Sequence, residues 1–314
     1  MSRPLPAVSG NVVTAPELRR LGLALDVADR QVRLGRWQRA ARGIYLTHSR
    51  APSGGELVEV ARCHAGDGAV ITGMLVLHQL GLRWLPPYGR VDVLVSPERS
   101  GLSSGLVLVT RTSCFESLET WAKFGGRLAS VERAVVDAAR GLSDLRDVRG
   151  VVLGAVKDRW ADVAELRTIL DAGRRNGSGL TRRALRDAER GCASPPEAEL
   201  VDALIGCGLP FYVNAELWLD GVLLGSPDVW FVGRGVGGEV ESRERHELED
   251  SQIESTYDRH ERFVAGGVEL LHVSVRRIRC DVAEAASYLV ARARGSTRAE
   301  SSGLEVRPRG PMLR

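Results

Sequence analysis

Lysine is nearly missing from this 314-residue chain: of its 43 basic residues only Lys123 and Lys157 are lysines, so 41 are arginine. A GC-rich coding sequence produces that bias with no function behind it. The formal net charge of +3 therefore excludes little, and only local clustering of arginine is informative. Cysteine is also scarce, with Cys63, Cys114, Cys192, Cys207 and Cys280 widely scattered. No C-x-x-C pair occurs, so neither a zinc knuckle nor a disulfide framework is supported. The five read as small buried hydrophobes. No run of 18 apolar residues is present, so no membrane span and no membrane partner are expected. The opening MSRPLPAVSG lacks the apolar core of a signal peptide, so the expected location is cytoplasmic. Internal repeats are absent. An apolar fraction of 44% with 26% charged residues excludes a disordered chain, and the length suits two or three domains.

The first fifty residues carry nine arginines against three acids, Glu17, Asp26 and Asp29. Thr14-Ala-Pro-Glu17 has the form of a capping box with proline in the first turn, so a helix is expected to start there. A second helical segment runs from Leu25 to about Leu34 and stops at Gly35. RWQRAARGIYLT then reads as a tight hairpin bent at Gly43. Helix, turn, helix and basic hairpin together predict a winged-helix module. Arg30, Arg33, Arg36, Arg39 and Arg42 recur every three residues through it. Arg30 and Arg33 share a helix face. A helix in the major groove with a basic wing on the phosphates suits double-stranded DNA. Against that stands the plainer reading of an arginine-rich exposed helix, since Gln31 is the sole amide on it.

Residues 56–82 look helical, with a nearly all-apolar centre from Ala69 to Leu82. Arg90–Val95 and Gly105–Thr110 are strand-like. Helices are expected near 130–140, near 144–158 and from about Asp162, followed by a basic break, Gly173–Gly179. From Ser194 the pattern changes. Ser194-Pro-Pro-Glu197 opens a helix, and Asp220-Gly221 turns a hairpin between Ala215–Leu219 and Val222–Leu224. Strands come next at Asp228–Val232 and Val236–Val240, then a helix at 250–265, a strand at Glu269–Val275, a C-terminal helix and a Gly/Ser/Arg/Pro-rich tail.

Chemistry concentrates in GGEVESRERHE, residues 237–247. Taken alone, such a run is a solvated loop with local ion pairs. Its setting points to more. Residues two apart on a strand share a face, so Glu239 and Glu241 project together, and a neighbouring strand can set Asp228 beside them. Converging carboxylates repel unless a divalent cation sits among them. Mg2+ takes such oxygen ligands and keeps waters, one of which can attack phosphorus. Asp228, Glu239 and Glu241 are thus the candidate metal ligands. Glu197 could add a ligand or orient a water, and His246 could move protons near neutral pH. His272, in an apolar strand, reads as a core residue. His260 could face the site.

SPPEAEL, GSPDVWF, GEVESRERH, YDRH and LLHVSVRRIR, over roughly 190–280, resemble a C-terminal domain related to the very-short-patch-repair (Vsr) type endonucleases of the PD-(D/E)XK superfamily. The resemblance implies Mg2+-dependent cleavage of DNA. It matches Asp228 to the strand aspartate, Glu239 to the following acid, His246 to the downstream histidine and Glu197 to the helix acid. Relatives usually carry aspartate where Glu241 stands and tryptophan where Arg245 stands, and the superfamily's lysine would fall at Glu241. Over about 14–140, LRRLGL, DRQVRLGRWQRAARGIYLT, AVITGMLVLHQLGL and ASVERAVVDAAR are similar to the AbiEi-type antitoxins. That implies promoter binding through the winged helix and a toxin partner.

The expectation is an α/β protein in four parts: a winged helix-turn-helix over 1–50, an α/β middle region over 51–175, a PD-(D/E)XK restriction-endonuclease-like domain over 190–294 and a disordered tail over 295–314. The alternative to an active nuclease is a repressor or antitoxin that only binds DNA or a toxin.

Overall fold

The computed structural model describes residues 10–83, 85–99, 101–123, 125–241, 261–296 and 303–314. The chain is mixed α/β and divides into two units, Met1–Ser143 with Asp158–Ser178, and Asp144–Lys157 with Gly179–Arg314. No helix among the described residues is long and apolar enough to cross a membrane.

The first unit opens with β1 (Val12–Thr14), α1 (Ala15–Arg20), α2 (Leu25–Arg33), β2 (Gln38–Ala41) and β3 (Ile44–Leu46). The strands pair antiparallel in the order β1-β3-β2. Thr14 and Glu17 form the capping box, with Thr14 N–H donating to Glu17 Oε2 at 2.7 Å. Val13, Leu18, Ala28, Trp37 and Tyr45 are buried together, and Leu23, Leu25 and Val32 close over them. These are the apolar positions of the two helices and the hairpin, which explains why so short a segment folds.

Continuing in this unit are α3 (Gly54–Ala65), β4 (Val70–Thr72), α4 (Met74–Gln79), β5 (Val91–Val95), β6 (Val107–Arg111), β7 (Thr120–Lys123), β8 (Gly126–Ala129) and α5 (Val131–Arg140). The sheet order is β6-β5-β4-β8-β7. After α6 (Leu145–Lys157) has joined the second unit, α7 (Val163–Ala172) returns to the first, capped by Asp162. The continuous helix expected over 56–82 is interrupted by β4. An apolar run alone does not separate a buried strand from a buried helix, and here β-branched Val70, Ile71 and Thr72 lie between Gly68 and Gly73.

Two clamps join this N-terminal segment to the rest of the first unit. Glu56 caps α3 by accepting from Ser53 N–H at 2.7 Å, and it also receives Asn11 Nδ2 at 2.7 Å and both terminal nitrogens of Arg50. Burial alone would raise this carboxyl, but donation from Arg50, Ser53 and Asn11 outweighs it and holds the group far below the usual carboxylate range. At the other end, Arg42 N–H donates to Ser104 Oγ (2.9 Å) and Leu106 N–H donates to Ala40 O (2.7 Å). Gly105, at φ +55°, makes this approach feasible, because a Cβ there would lie 2.2 Å from Ala40 O.

The second unit contains α6, α8 (Gly179–Glu189), α9 (Pro195–Leu204), β9 (Phe211–Val213), β10 (Glu216–Leu219), β11 (Val222–Gly225), β12 (Val229–Phe231), β13 (Val236–Glu241), β14 (Glu269–Ser274), α10 (Val275–Cys280), α11 (Val282–Gly295) and β15 (Leu304–Arg307). One sheet runs β14-β13-β12-β9, with β13 and β14 parallel; the other runs β11-β10-β15. Asp220 and Gly221 turn the β10–β11 hairpin with positive φ at both, as Asp-Gly does in such turns. Three helices are joined through Arg149, which is 2% exposed. It donates to Asp187 at 2.9 Å and to Asp202, so α6 is tied to α8 and α9.

The tail expected to be disordered is in part ordered. Residues 303–314 are described: β15 pairs with β10, and Leu313 pairs with Phe211 of β9 through both backbone bonds. Leu304 and Val306 alternate into the apolar cluster formed by Leu217, Leu224, Trp230, Phe263 and Val268. That two-residue alternation outweighs a polar composition. The helix α8 was also not expected from the sequence.

Candidate functional site

Register places the carboxylates. In the β12–β13 pair, Trp230 lies opposite Gly237 and Val229 opposite Gly238, so Asp228 comes next, opposite Glu239. In the parallel β13–β14 pair, Gly237 lies beside Leu270 and Glu239 beside His272. Side chains two apart share a face. One face of the sheet therefore carries the row Trp230, Gly237, Leu270 and, one step along the strands, the row Asp228, Glu239, His272. The first row belongs to the apolar cluster, through Trp230 and Leu270. The second is polar and begins where that cluster ends.

The two glycines before Glu239 fit this sandwich. A Cβ on Gly238 would meet Leu289 of α11 at 3.0 Å, and one on Gly237 would meet Pro227 at 3.1 Å on the other face. The acid after them is itself buried, at 4% exposure.

Asp228 Oδ2 accepts from Val240 N–H at 2.6 Å, and Asp228 O accepts from Asn214 N–H at 3.2 Å. Glu241, two residues beyond Glu239 and on its face, is exposed, with Oε1 2.9 Å from His272 Nδ1. The contact is close but is not an aligned hydrogen bond. His272 is therefore not the core residue that its strand suggested; its side chain is about one-third exposed beside the carboxylates. Glu197 caps α9: it accepts from Ala193 N–H (2.9 Å), Ser194 Oγ (2.8 Å) and Asn214 Nδ2 (3.1 Å). Through Asn214 it stands next to Asp228, but its contacts are those of a helix cap. His246 and His260 lie outside the described residues.

Mg2+ is commonly held by one or two carboxylates with several retained waters. Asp228 and Glu239, side by side on adjacent strands, fit that donor set. Among the described residues, no group of three or more His, Cys, Asp or Glu side chains stands in a metal-holding arrangement.

The basic set lies elsewhere, in the first unit. Arg30, Arg33, Arg36, Arg39 and Arg42 line the second helix and the hairpin, and all five are exposed. Arg39 pairs with Asp29 and stacks over Tyr45, whose hydroxyl also donates to Asp29. Burial and then Asp29 push the Tyr45 phenol up. Arg42 sits at the hairpin tip that is seated on Ser104–Leu106.

No family model matches the chain, and no curated protein matches it. Among solved structures, the RV2827C protein from Mycobacterium tuberculosis is similar over 60% of this chain and 75% of that one, at 17% identity and a TM-score of 0.39. At that score the likeness assigns neither domain nor activity.

Proposed function

We propose that this chain is a cytoplasmic DNA-binding protein of the AbiEi antitoxin-like class whose second unit is a Vsr-like, PD-(D/E)XK-type endonuclease domain. The observation that carries the nuclease reading is the row Asp228–Glu239–His272, polar and set at the margin of an apolar cluster. Asp228 and Glu239 would hold Mg2+, which when bound polarises a phosphodiester and supplies an activated water. The chain's residues fix the donors: Val240 N–H aims Asp228, and strand pairing sets Glu239 beside it. His246 remains the proposed proton carrier. The DNA reading rests on helix, helix and hairpin in sequence, with Arg30, Arg33 and Arg36 along them.

Plasmid nicking with Mg2+ or Mn2+, comparing wild type with Asp228→Ala, tests the enzyme. Nicking by wild type alone is expected; equal nicking by both proteins, or none by either, removes it. Duplex binding at several salt concentrations tests the interface. Each lost phosphate contact lowers the slope of log K against log [salt] by about 0.9. Replacing Arg30, Arg33 and Arg36 by alanine should therefore flatten it by roughly 2 to 3. An unchanged slope would place the DNA on another surface.

A second reading, a catalytically inactive repressor or antitoxin that binds DNA or a toxin partner, is favoured by the commitments of Glu197 to its helix cap and Glu241 to His272. Salt-dependent duplex binding without nicking or metal affinity is its signature.

A further inference from the structure

Glu241 and His272 stand in an unexpected relation. The strand parity that puts Glu241 on the face of Glu239 offers it as a metal ligand, and the apolar run LLHVSV offers His272 to the core. Instead, parallel pairing sets His272 level with Glu239, and the Glu241 carboxylate reaches across to Nδ1 at 2.9 Å. Glu241 is paired in register with Ser274, one alternation beyond His272, so its side chain leans back along β14 toward the imidazole. A diagonal neighbour on a sheet is within reach of a long side chain. The reach needs the extra methylene that glutamate has over aspartate.

We propose that Glu241 is not a metal ligand but a positioning residue: it holds the His272 imidazole in the row beside Glu239, where the imidazole meets the DNA backbone at the site. The metal donors are then Asp228 and Glu239 alone. The inference rests on the endonuclease reading for its substrate, but its core claim is a division of labour between two acids of similar sequence context. A carboxylate packed against an imidazole restrains the ring's orientation. Glu239, 4% exposed and flanked by Asp228, keeps the metal-facing place.

Mn2+ affinity, read by calorimetry on the full chain, separates the two roles without requiring turnover. Asp228→Asn and Glu239→Gln are expected to weaken Mn2+ binding by at least the roughly 10- to 100-fold that loss of a mere outer-shell partner costs. Glu241→Gln and His272→Gln should leave it within about twofold of wild type while lowering nicking. The double variant Glu241→Gln/His272→Gln should nick no more slowly than His272→Gln, because groups acting as one unit are non-additive. The nitrogen chemical shifts of the His272 ring give a second readout, and they should move in Glu241→Gln. Loss of Mn2+ affinity in Glu241→Gln equal to that in Glu239→Gln would overturn the pairing and leave the nuclease reading intact. So would wild-type nicking by His272→Gln. A wild-type protein that neither binds Mn2+ nor nicks would sink both.

Discussion

Asp92 makes a quantitative prediction about the first unit. It lies on β5 opposite Thr72 of β4, packed against Gly73, where a Cβ would come within 2.6 Å of its Oδ2. Thr72 Oγ1 and Arg133 both donate to Asp137 of α5, so the Asp137 carboxylate is anchored nearby as a charge. Burial, with the Asp137 charge adding to it and Arg90 opposing it, pushes the Asp92 carboxyl from its ordinary 3.8 up to about 6. The fold thus disfavours the ionised form. At 1.36 kcal/mol per pH unit the displacement is worth roughly 2–3 kcal/mol. Because the folded value is raised, that contribution is fully present below about pH 4 and is lost as pH rises through about 6. Asp92→Asn keeps the shape and removes the charge. Urea unfolding of both proteins at pH 4 and pH 7.5 isolates the effect, since all other titrating groups cancel in the difference. The two should be nearly equal at pH 4, and the variant should be more stable by roughly 2–3 kcal/mol at pH 7.5. A difference that is the same at both pH values would refute the claim that the Asp92 charge is what the fold resists.

Two further perturbations test how each unit is held. Arg149→Ala removes the buried partner that Asp187 and Asp202 share between α6, α8 and α9 and leaves them the more exposed Arg183 and Arg190, and calorimetric or urea unfolding should show a loss of at most about 3–5 kcal/mol; replacing Arg149 by methionine together with Asp187→Asn and Asp202→Asn should recover part of it. Gly105→Ala combines positive φ with a Cβ 2.2 Å from Ala40 O, so it should cost more than about 1 kcal/mol in unfolding and shift the backbone amide resonances of Ala40–Arg42. Gly22→Ala, at φ +70° in open space, is its control for backbone strain alone.

Local signals in the sequence were legible where one residue decides the outcome. The Thr14 and Ser194 caps and the Asp220-Gly221 turn all stand where their chemistry puts them. The features that escaped depend on partners far along the chain. Val70–Thr72 is a strand because β5 and β8 flank it, and Leu304–Arg307 is one because β10 offers an edge and a cluster to fill. The seating of the hairpin tip on Ser104–Leu106 is set by Gly105, which the sequence presents only as the start of a strand. His272 is the instructive case. The parity of Glu239 and Glu241 is set by their spacing, but which histidine stands level with them depends on the offset between β13 and β14, and no local pattern encodes that offset.

The offset has a physical origin in the two glycines that precede Glu239. Gly237 and Gly238 leave β13 without side chains at the point where it is covered on both faces, by Pro227 and Leu270 on one and Leu289 on the other. Sliding β13 by one residue would drive the Glu239 side chain toward Leu289 and α11, reversing every face at once. Sliding it by two would keep the faces but bring a side chain into one of the closed positions. The pair Gly-Gly therefore selects one register, and that register aligns Glu239 with Asp228 on one side and His272 on the other. The acidic stretch owes its geometry to the residues before it that carry no side chain, and a Gly237→Val variant should disrupt the row even though every charged group remains.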